Sequence, residues 1–257
     1  MGLTFGSSPF GPQCGRYNDA ALPDHVAYVE PWPRRMRALF ADRTVLDSRQ
    51  GMMLHRTGAA PTLLFPLEDL AADVLVKDEA AGSWTVEVGD RSARQAVTAA
   101  PAIQGEAGAD IAGLVTIRYG AMDRWFEEDD PVYAHPRDPY HRVDVRSSSR
   151  HVLIRHGEVV VAESTRPKLL FETGLPVRYY LPFADVRIDL LRLSDTISEC
   201  PYKGDGQHWN LVSAVDVVAD VAWNSPHPLA EAALALEHVS FYPDKLSVTV
   251  DHERVTS

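Results

Sequence analysis

Short apolar runs with a two-residue beat, broken by turn residues, dominate the second half of the chain. Val152-Leu-Ile-Arg-His-Gly-Glu-Val-Val-Val-Ala162 is rich in β-branched residues on both sides of His156-Gly157, a pair suited to a tight hairpin turn. Val177-Arg-Tyr-Tyr-Leu181 predicts a strand halted at Pro182, which has no N–H to continue a ladder. Residues 185–193 alternate polar and apolar side chains, as a half-buried strand does, and Leu246-Ser-Val-Thr-Val250 predicts another. Helical spacing is confined to residues 229–237, with one further turn expected over 167–172. Residues 1–34, carrying Gly11-Pro12 and Pro31-Trp-Pro33, predict an ordered but irregular arm. The expected class is mainly β: small antiparallel domains with minor helix.

The chain also repeats itself. A constant shift of 116 sets Asp47 on Glu163, Ser48 on Ser164 and Gly58 on Gly174. The same shift sets Pro66 on Pro182, Asp69 on Asp185 and Asp73 on Asp189. Trp84 meets Trp209 at a shift of 125, so the first copy is nine residues shorter by that point. Ile117-Arg-Tyr119 and Ser240-Phe-Tyr242 form similar tails. Six matches at one shift exceed chance and predict two homologous domains, over 35–128 and 151–257. The join, 129–150, holds three prolines with Tyr133, His135, Arg137, Tyr140 and His141. A solvated linker would be rich in Gly and Ser, so an ordered strap is expected, with His135, Arg137, Tyr140 and His141 as a possible lid over one domain's open face.

Composition narrows the partners. With 25 Lys+Arg against 36 Asp+Glu among 257 residues, the net charge of −11 opposes nucleic-acid binding. No apolar run reaches the roughly 20 residues that span a bilayer. The start, Met1-Gly-Leu-Thr-Phe-Gly6, lacks the basic and apolar regions of a secretion signal. Cys14 and Cys200 are too few for a thiolate zinc site. A soluble, cytoplasmic protein with no nucleic-acid or membrane partner is expected, as monomer or homodimer.

Each copy serves as a control for the other. Asp185 and Asp189 attract attention as a cation pair, but Asp69 and Asp73 repeat them and Arg187 lies between them. No Gly-rich phosphate loop or dinucleotide fingerprint occurs, so no metal or cofactor is expected. Residues special to the second copy make a more coherent set. Arg166 faces Gln50, Glu172 faces Arg56, Tyr180 faces Leu64 and Arg187 faces Ala71, while Cys200-Pro-Tyr-Lys-Gly204 has no counterpart. Arg166, Arg187 and Lys203 converging would suit a small anionic or carbonyl-bearing ligand, walled by Tyr180, Tyr202, Trp209, Trp223 and Tyr242. Lys203 and Glu172 are the candidate proton carriers, Arg187 and Arg166 the oxyanion anchors, and Cys200 a candidate nucleophile.

Glu163-Ser-Thr-Arg166, Phe171-Glu-Thr-Gly174, Tyr179-Tyr-Leu-Pro182, Asp185-Val-Arg-Ile-Asp189, Cys200-Pro-Tyr-Lys-Gly204 and Phe241-Tyr-Pro243 together resemble the DUF427 family. The chain looks like its tandem form, and His135-Pro-Arg-Asp-Pro-Tyr140 resembles that form's interdomain segment. The resemblance implies β-tent-like domains, two antiparallel sheets meeting over a pocket, and carries a nucleotidyltransferase-like label. Zinc-bearing β-tents use two Cys-x-x-Cys pairs, which this chain lacks. It departs from the family at His208, where an aromatic is usual, and at Asn224-Ser225, where Ser-Tyr is. The leading expectation is a small-molecule enzyme working by metal-free acid–base catalysis (cyclase, hydrolase, lyase or isomerase) in the second copy. The alternatives are a non-catalytic ligand-binding or sensing module, and nucleotidyl transfer.

Overall fold

The structure, a computed structural model, describes residues 25–213 and 216–255. The chain divides into two units, Met1–His141 and Arg142–Ser257.

The first unit runs through β1 (Ala27–Trp32), β2 (Met36–Phe40), β3 (Arg43–Ser48), β4 (Gly51–Arg56), β5 (Ala59–Leu64) and β6 (Leu75–Asp78). It continues with β7 (Ser83–Val88), β8 (Arg91–Ala99), β9 (Val115–Ile117), β10 (Arg124–Glu127) and β11 (Asp130–Val132). The second unit repeats the series as β12 (Val143–Ser147), β13 (Val152–His156), β14 (Val159–Ser164), β15 (Lys168–Glu172) and β16 (Arg178–Pro182). There follow β17 (Leu191–Ser198), β18 (Gly206–Val212), β19 (Val217–Asn224), β20 (His238–Phe241), β21 (Ser247–Val250) and β22 (Glu253–Arg254).

Every pairing is antiparallel. In the second unit one sheet has the order β12-β15-β16-β20-β19-β18-β17 and the other β14-β13-β21-β22. The first unit has the equivalent order β11-β10-β2-β3 for its smaller sheet. Its larger sheet is split into β1-β4-β5 and β6-β7-β8-β9, bridged by Phe65 opposite Val115. At the same place in the second unit Leu181 lies opposite Val239 within a continuous ladder.

Register shows the repeat down to single residues. Trp84 faces Lys77 on one side and Val97 on the other; Trp209 faces Leu193 and Ala222. The shift is therefore 116 up to β17 and 125 from β18, so the nine extra residues lie in the β17–β18 hairpin. Ser48 donates to Asp69 at 2.6 Å, and Ser164 donates to Asp185 at 2.7 Å. Both units bend one strand at a left-handed residue, Gln95 at φ 49° and Asp220 at φ 52°. The Gln95 N–H is met by the Thr85 hydroxyl, the Asp220 N–H by the Asn210 side-chain oxygen at 2.8 Å. These twinned features hold the fold.

Apolar side chains of each unit fill the space between its sheets. The first core gathers Trp32, Met36, Leu46, Phe65 and Trp125, and the main core of the second gathers Ile154, Val161, Leu181, Leu211 and Phe241. On the opposite face of the seven-stranded sheet a smaller cluster joins Val143, Val145, Leu170, Tyr180, Tyr202 and Ala235.

Four local expectations need correction. Residues 185–193 begin as two 3-10 turns, Phe183–Asp185 and Ile188–Leu190, and only Leu191 starts a strand. Bonds from Val186 N–H to Phe183 O and Leu190 N–H to Arg187 O tighten the backbone there, so the alternation is not that of an extended strand. Within residues 167–172, expected to turn, Lys168–Glu172 forms β15, because β12 and β16 pair with it on both sides. The segment 229–237 is helical only as a 3-10 stretch at Ala230–Ala235. Of the expected arm, residues 1–24 lie outside the described residues, and Ala27–Trp32 is a strand rather than irregular chain. β1 is an edge strand, which tolerates Pro31. The join contributes β11 at one end and β12 at the other, with the unit boundary after His141.

Candidate functional site

Residues directly opposite one another in neighbouring strands point to the same side of a sheet. One such row crosses the seven-stranded sheet: Ser147, Lys168, Tyr180, Ser240, Trp223 and His208. The row has a basic end and an aromatic end.

At the basic end opens a hollow of about 690 Å³, whose lining includes Ser147, Ser148, Arg166, Lys168, Phe183 and His238. The Lys168 ammonium donates to the Ser147 hydroxyl at 2.8 Å and makes no ion pair among the described residues. The Arg166 guanidinium donates to both oxygens of Asp185, at 3.1 and 2.7 Å. That bond, with the Ser164 hydroxyl, holds the Asp185 carboxyl below the usual range. His238 Nδ1 lies 2.7 Å from the carbonyl of Leu236, which only accepts, so Nδ1 carries the proton and Nε2 of the neutral ring is the acceptor. By register, Met52 and Leu114 of the first unit stand where Lys168 and His238 stand in the second. A first-unit hollow of about 440 Å³ is lined by Leu67, Trp84, Ile103, Ile111 and Leu114, with no charged side chain.

At the aromatic end, Trp223 Nε1 donates to the Tyr180 hydroxyl at 3.0 Å and its ring centroid lies 4.3 Å from that of Tyr242. Tyr242 in turn stacks on His208 at 6.2 Å, and the Arg178 guanidinium sits 5.4 Å from the Trp223 ring centre. Burial pushes the phenols of Tyr180 and Tyr242 upward. The loop from Cys200 to Gly204 closes through Gly204 N–H to Cys200 O at 3.0 Å. Gly204 is required, since φ is +85° and a Cβ would come within 2.7 Å of the His227 carbonyl.

The three basic residues expected to converge do not share one hollow. Lys203 is ion-paired with Glu172, Arg187 with Asp189 at 2.6 Å and Arg166 with Asp185 at 2.7 Å. Surplus carboxylates claim each cation locally, and only Arg166 lines the hollow just described. Asp189 is thereby held below its usual range by Arg187, and neither Asp185 nor Asp189 presents a free carboxylate pair. Trp209 parts from Trp223. Its neighbour His208 is the residue opposite Trp223, so Trp209 turns to the other face, packs on the main core against Phe183 and donates to Asn224 at 2.7 Å. Tyr180 and Tyr202 are buried at 2 % and 4 % exposure, which removes them as ligand walls. Cys200 packs against the same cluster as a partly buried side chain.

The candidate lid residues His135, Arg137, Tyr140 and His141 belong to the first unit. The Tyr140 hydroxyl donates to Glu30 of β1 at 2.9 Å, and its ring meets His55 edge-on. His135 is lowered from its ordinary value chiefly by burial, and its Nδ1 lies 2.8 Å from the Pro136 carbonyl. Arg137 and His141 lie in that segment too. The groups that sequence reasoning missed are Lys168, His238, Ser147 and Ser148. Comparing the copies finds Lys168 and His238 once register extends the alignment, because apolar residues replace both in the first unit.

Burial also holds the His208 imidazole below its ordinary value. A base whose pKa falls on folding is protonated first in the unfolded chain, so stability is full at higher pH and declines as pH falls below about 6.5. Urea unfolding at neutral and mildly acidic pH should therefore show a smaller pH effect in His208→Gln than in the wild type.

No curated protein matches the chain. Residues 28–128 and 144–253 each match the profile of a single family, described as a domain of unknown function (DUF427). Each match covers nearly one full set of eleven strands. The internal repeat, the shared bends and the paired Ser–Asp bonds are thus two copies of one family domain, and the chain belongs to the DUF427 family.

Proposed function

We propose that the second unit binds a small carboxylate- or phosphate-bearing organic molecule in the Arg166–Lys168–His238 hollow and performs cofactor-free acid–base chemistry on it. The carrying observation is the conjunction, in one hollow, of an ammonium outside any described ion pair, a guanidinium edge and an imidazole with its tautomer fixed. Lys168 supplies the charge, Arg166 adds directional donors, and Phe183 offers an apolar wall. His238 Nε2 accepts or returns a proton at the bound molecule. The reading moves the acid–base role from Lys203 and Glu172, which are bound to each other, to His238.

A non-catalytic binding module is the second reading, favoured by the pairing of Arg166, Arg187 and Lys203 with carboxylates of their own. Nucleotidyl transfer draws no support from Asp185 and Asp189, whose oxygens are taken by arginines.

A thermal-shift screen of small carboxylates and phosphate monoesters, followed by calorimetry on the hits, tests the proposal. Lys168→Met should weaken binding at least about tenfold, the loss of one charge-assisted hydrogen bond. His238→Gln should keep affinity and lose turnover if the site is an enzyme; if it is a binder, the wild type and the variant both bind and neither turns the molecule over. Equal affinity in the wild type and Lys168→Met sinks the proposal.

A further inference from the structure

The aromatic end of the sheet holds a second set of groups that the hollow does not use. Ser198, at the end of β17, places its hydroxyl 3.0 Å from His208 Nε2 across the hairpin on β18. Ser198 is exposed, whereas His208 keeps 7 % exposure. The other ring nitrogen, Nδ1, is buried without a hydrogen-bond partner, and so is Oδ1 of Asp220 on adjacent β19. Asp220 is fixed through its other oxygen, which accepts from Thr196 at 3.0 Å. A hydroxyl bonded to an imidazole, with a carboxylate on the next strand whose charge acts on that ring, are the parts of a serine nucleophile and its base.

Two features single out this arrangement. A Cβ at Gly206 would lie 2.5 Å from Ser198 Oγ, so a glycine makes room for that hydroxyl. The first unit has no equivalent: Ser83 and Gln95 occupy the register positions of His208 and Asp220, on a hairpin nine residues shorter. The groups around His208 are Ser198 from β17, Asp220 from β19, the stacked ring of Tyr242, and Lys245, whose ammonium is tied to the carbonyls of Ala219 and Asp220. Burial and Lys245 favour the neutral imidazole, and Asp220 opposes them; burial is the largest effect. A neutral ring can accept the Ser198 proton.

We infer that Ser198, His208 and Asp220 form a second reactive centre that hydrolyses small esters through an acyl-serine. Ser198 Oγ bonds to the ester carbonyl carbon while its proton passes to His208 Nε2. The bond to the leaving alcohol breaks, and the alcohol departs with that proton. Water then attacks the acyl-serine, gives a proton to Nε2, and the acid leaves as Ser198 recovers its hydrogen. The charge of Asp220 stabilises the imidazolium. Tyr242 and Trp223, with ring centroids 4.3 Å apart, are the apolar surface beside the centre for a flat acyl or alkoxy group.

The test is labelling of the full chain with a fluorophosphonate, which gives up fluoride to a nucleophilic serine, with the modified peptide identified by mass. Ser198 should carry the label, and Ser198→Ala should abolish it in a chain that still unfolds cooperatively. His208→Gln should slow labelling about 100-fold, the usual contribution of a general base. Asp220→Asn, which removes a charge that favours the imidazolium, should slow it less and move the pH midpoint downward. In the wild type the rate should rise with pH to a plateau, with its midpoint below about 6.5. That profile keeps the test decisive if His208→Gln does not fold. Label on another residue, no label on the folded chain, or a rate independent of pH overturns the inference. None of these outcomes bears on Lys168 or His238.

Discussion

Truncation of Leu181 to alanine is expected to cost the second unit about 3 kcal/mol, within the range for deleting a fully buried leucine. Leu181 has no exposed surface and lies on β16 opposite Val239, where the two halves of the seven-stranded sheet are joined. The substitution removes apolar packing and opens a cavity that a continuous ladder on both sides keeps from collapsing. The first unit has its own core around Phe65, Met36 and Trp125. Urea unfolding of Leu181→Ala should therefore show an early transition for one unit and an unchanged one for the other. A single transition at the wild-type midpoint would mean that this seam is not packed as described.

Lys203→Ala is expected to destabilise the same unit by about 2 kcal/mol, less than a fully buried pair because Lys203 keeps 21 % of its side-chain exposure. Its partner Glu172 keeps only 6 %, so the variant leaves a carboxylate in a poorly solvated place without its ammonium. Lys203→Met with Glu172→Leu should recover most of the loss, because an apolar pair of similar volume replaces a desolvated ionic one. The midpoints of chemical unfolding for the wild type, the single variant and the double variant give the comparison. No loss in Lys203→Ala would show that the pair is solvated and free to serve chemistry, returning Lys203 to the list of candidate proton carriers.

The repeat was legible because folding constraints recur at a fixed spacing. Ser48 and Ser164 each bind an aspartate 21 residues on, and that bond fixes both members of each pair. The chemistry was less legible. Arg166, Arg187 and Lys203 share a charge and a unit, but sequence carries no information on which carboxylate each meets, and a nearby partner wins in an acidic chain. Asp185–Asp189 misled for a related reason: polar–apolar alternation reads as a strand, while 3-10 turns with i→i+3 bonds redirect the side chains. Trp209 and His208 are adjacent in sequence yet serve opposite faces, which the period of two implies only once the register across to Trp223 and Ala222 is known.

Sequence by itself determined the mainly β class, the two copies, the place of the nine-residue insertion and the membership in one family. Those follow from local pattern and from spacing, which the chain carries in one dimension. The tertiary structure decided which side chains meet. Lys168, His238 and Arg166 come from strands and turns as far apart as residues 166 and 238, and Ser198, His208 and Asp220 come from three strands brought together by antiparallel pairing. Cross-strand register sets such meetings, and hydrogen bonds between distant segments set the register.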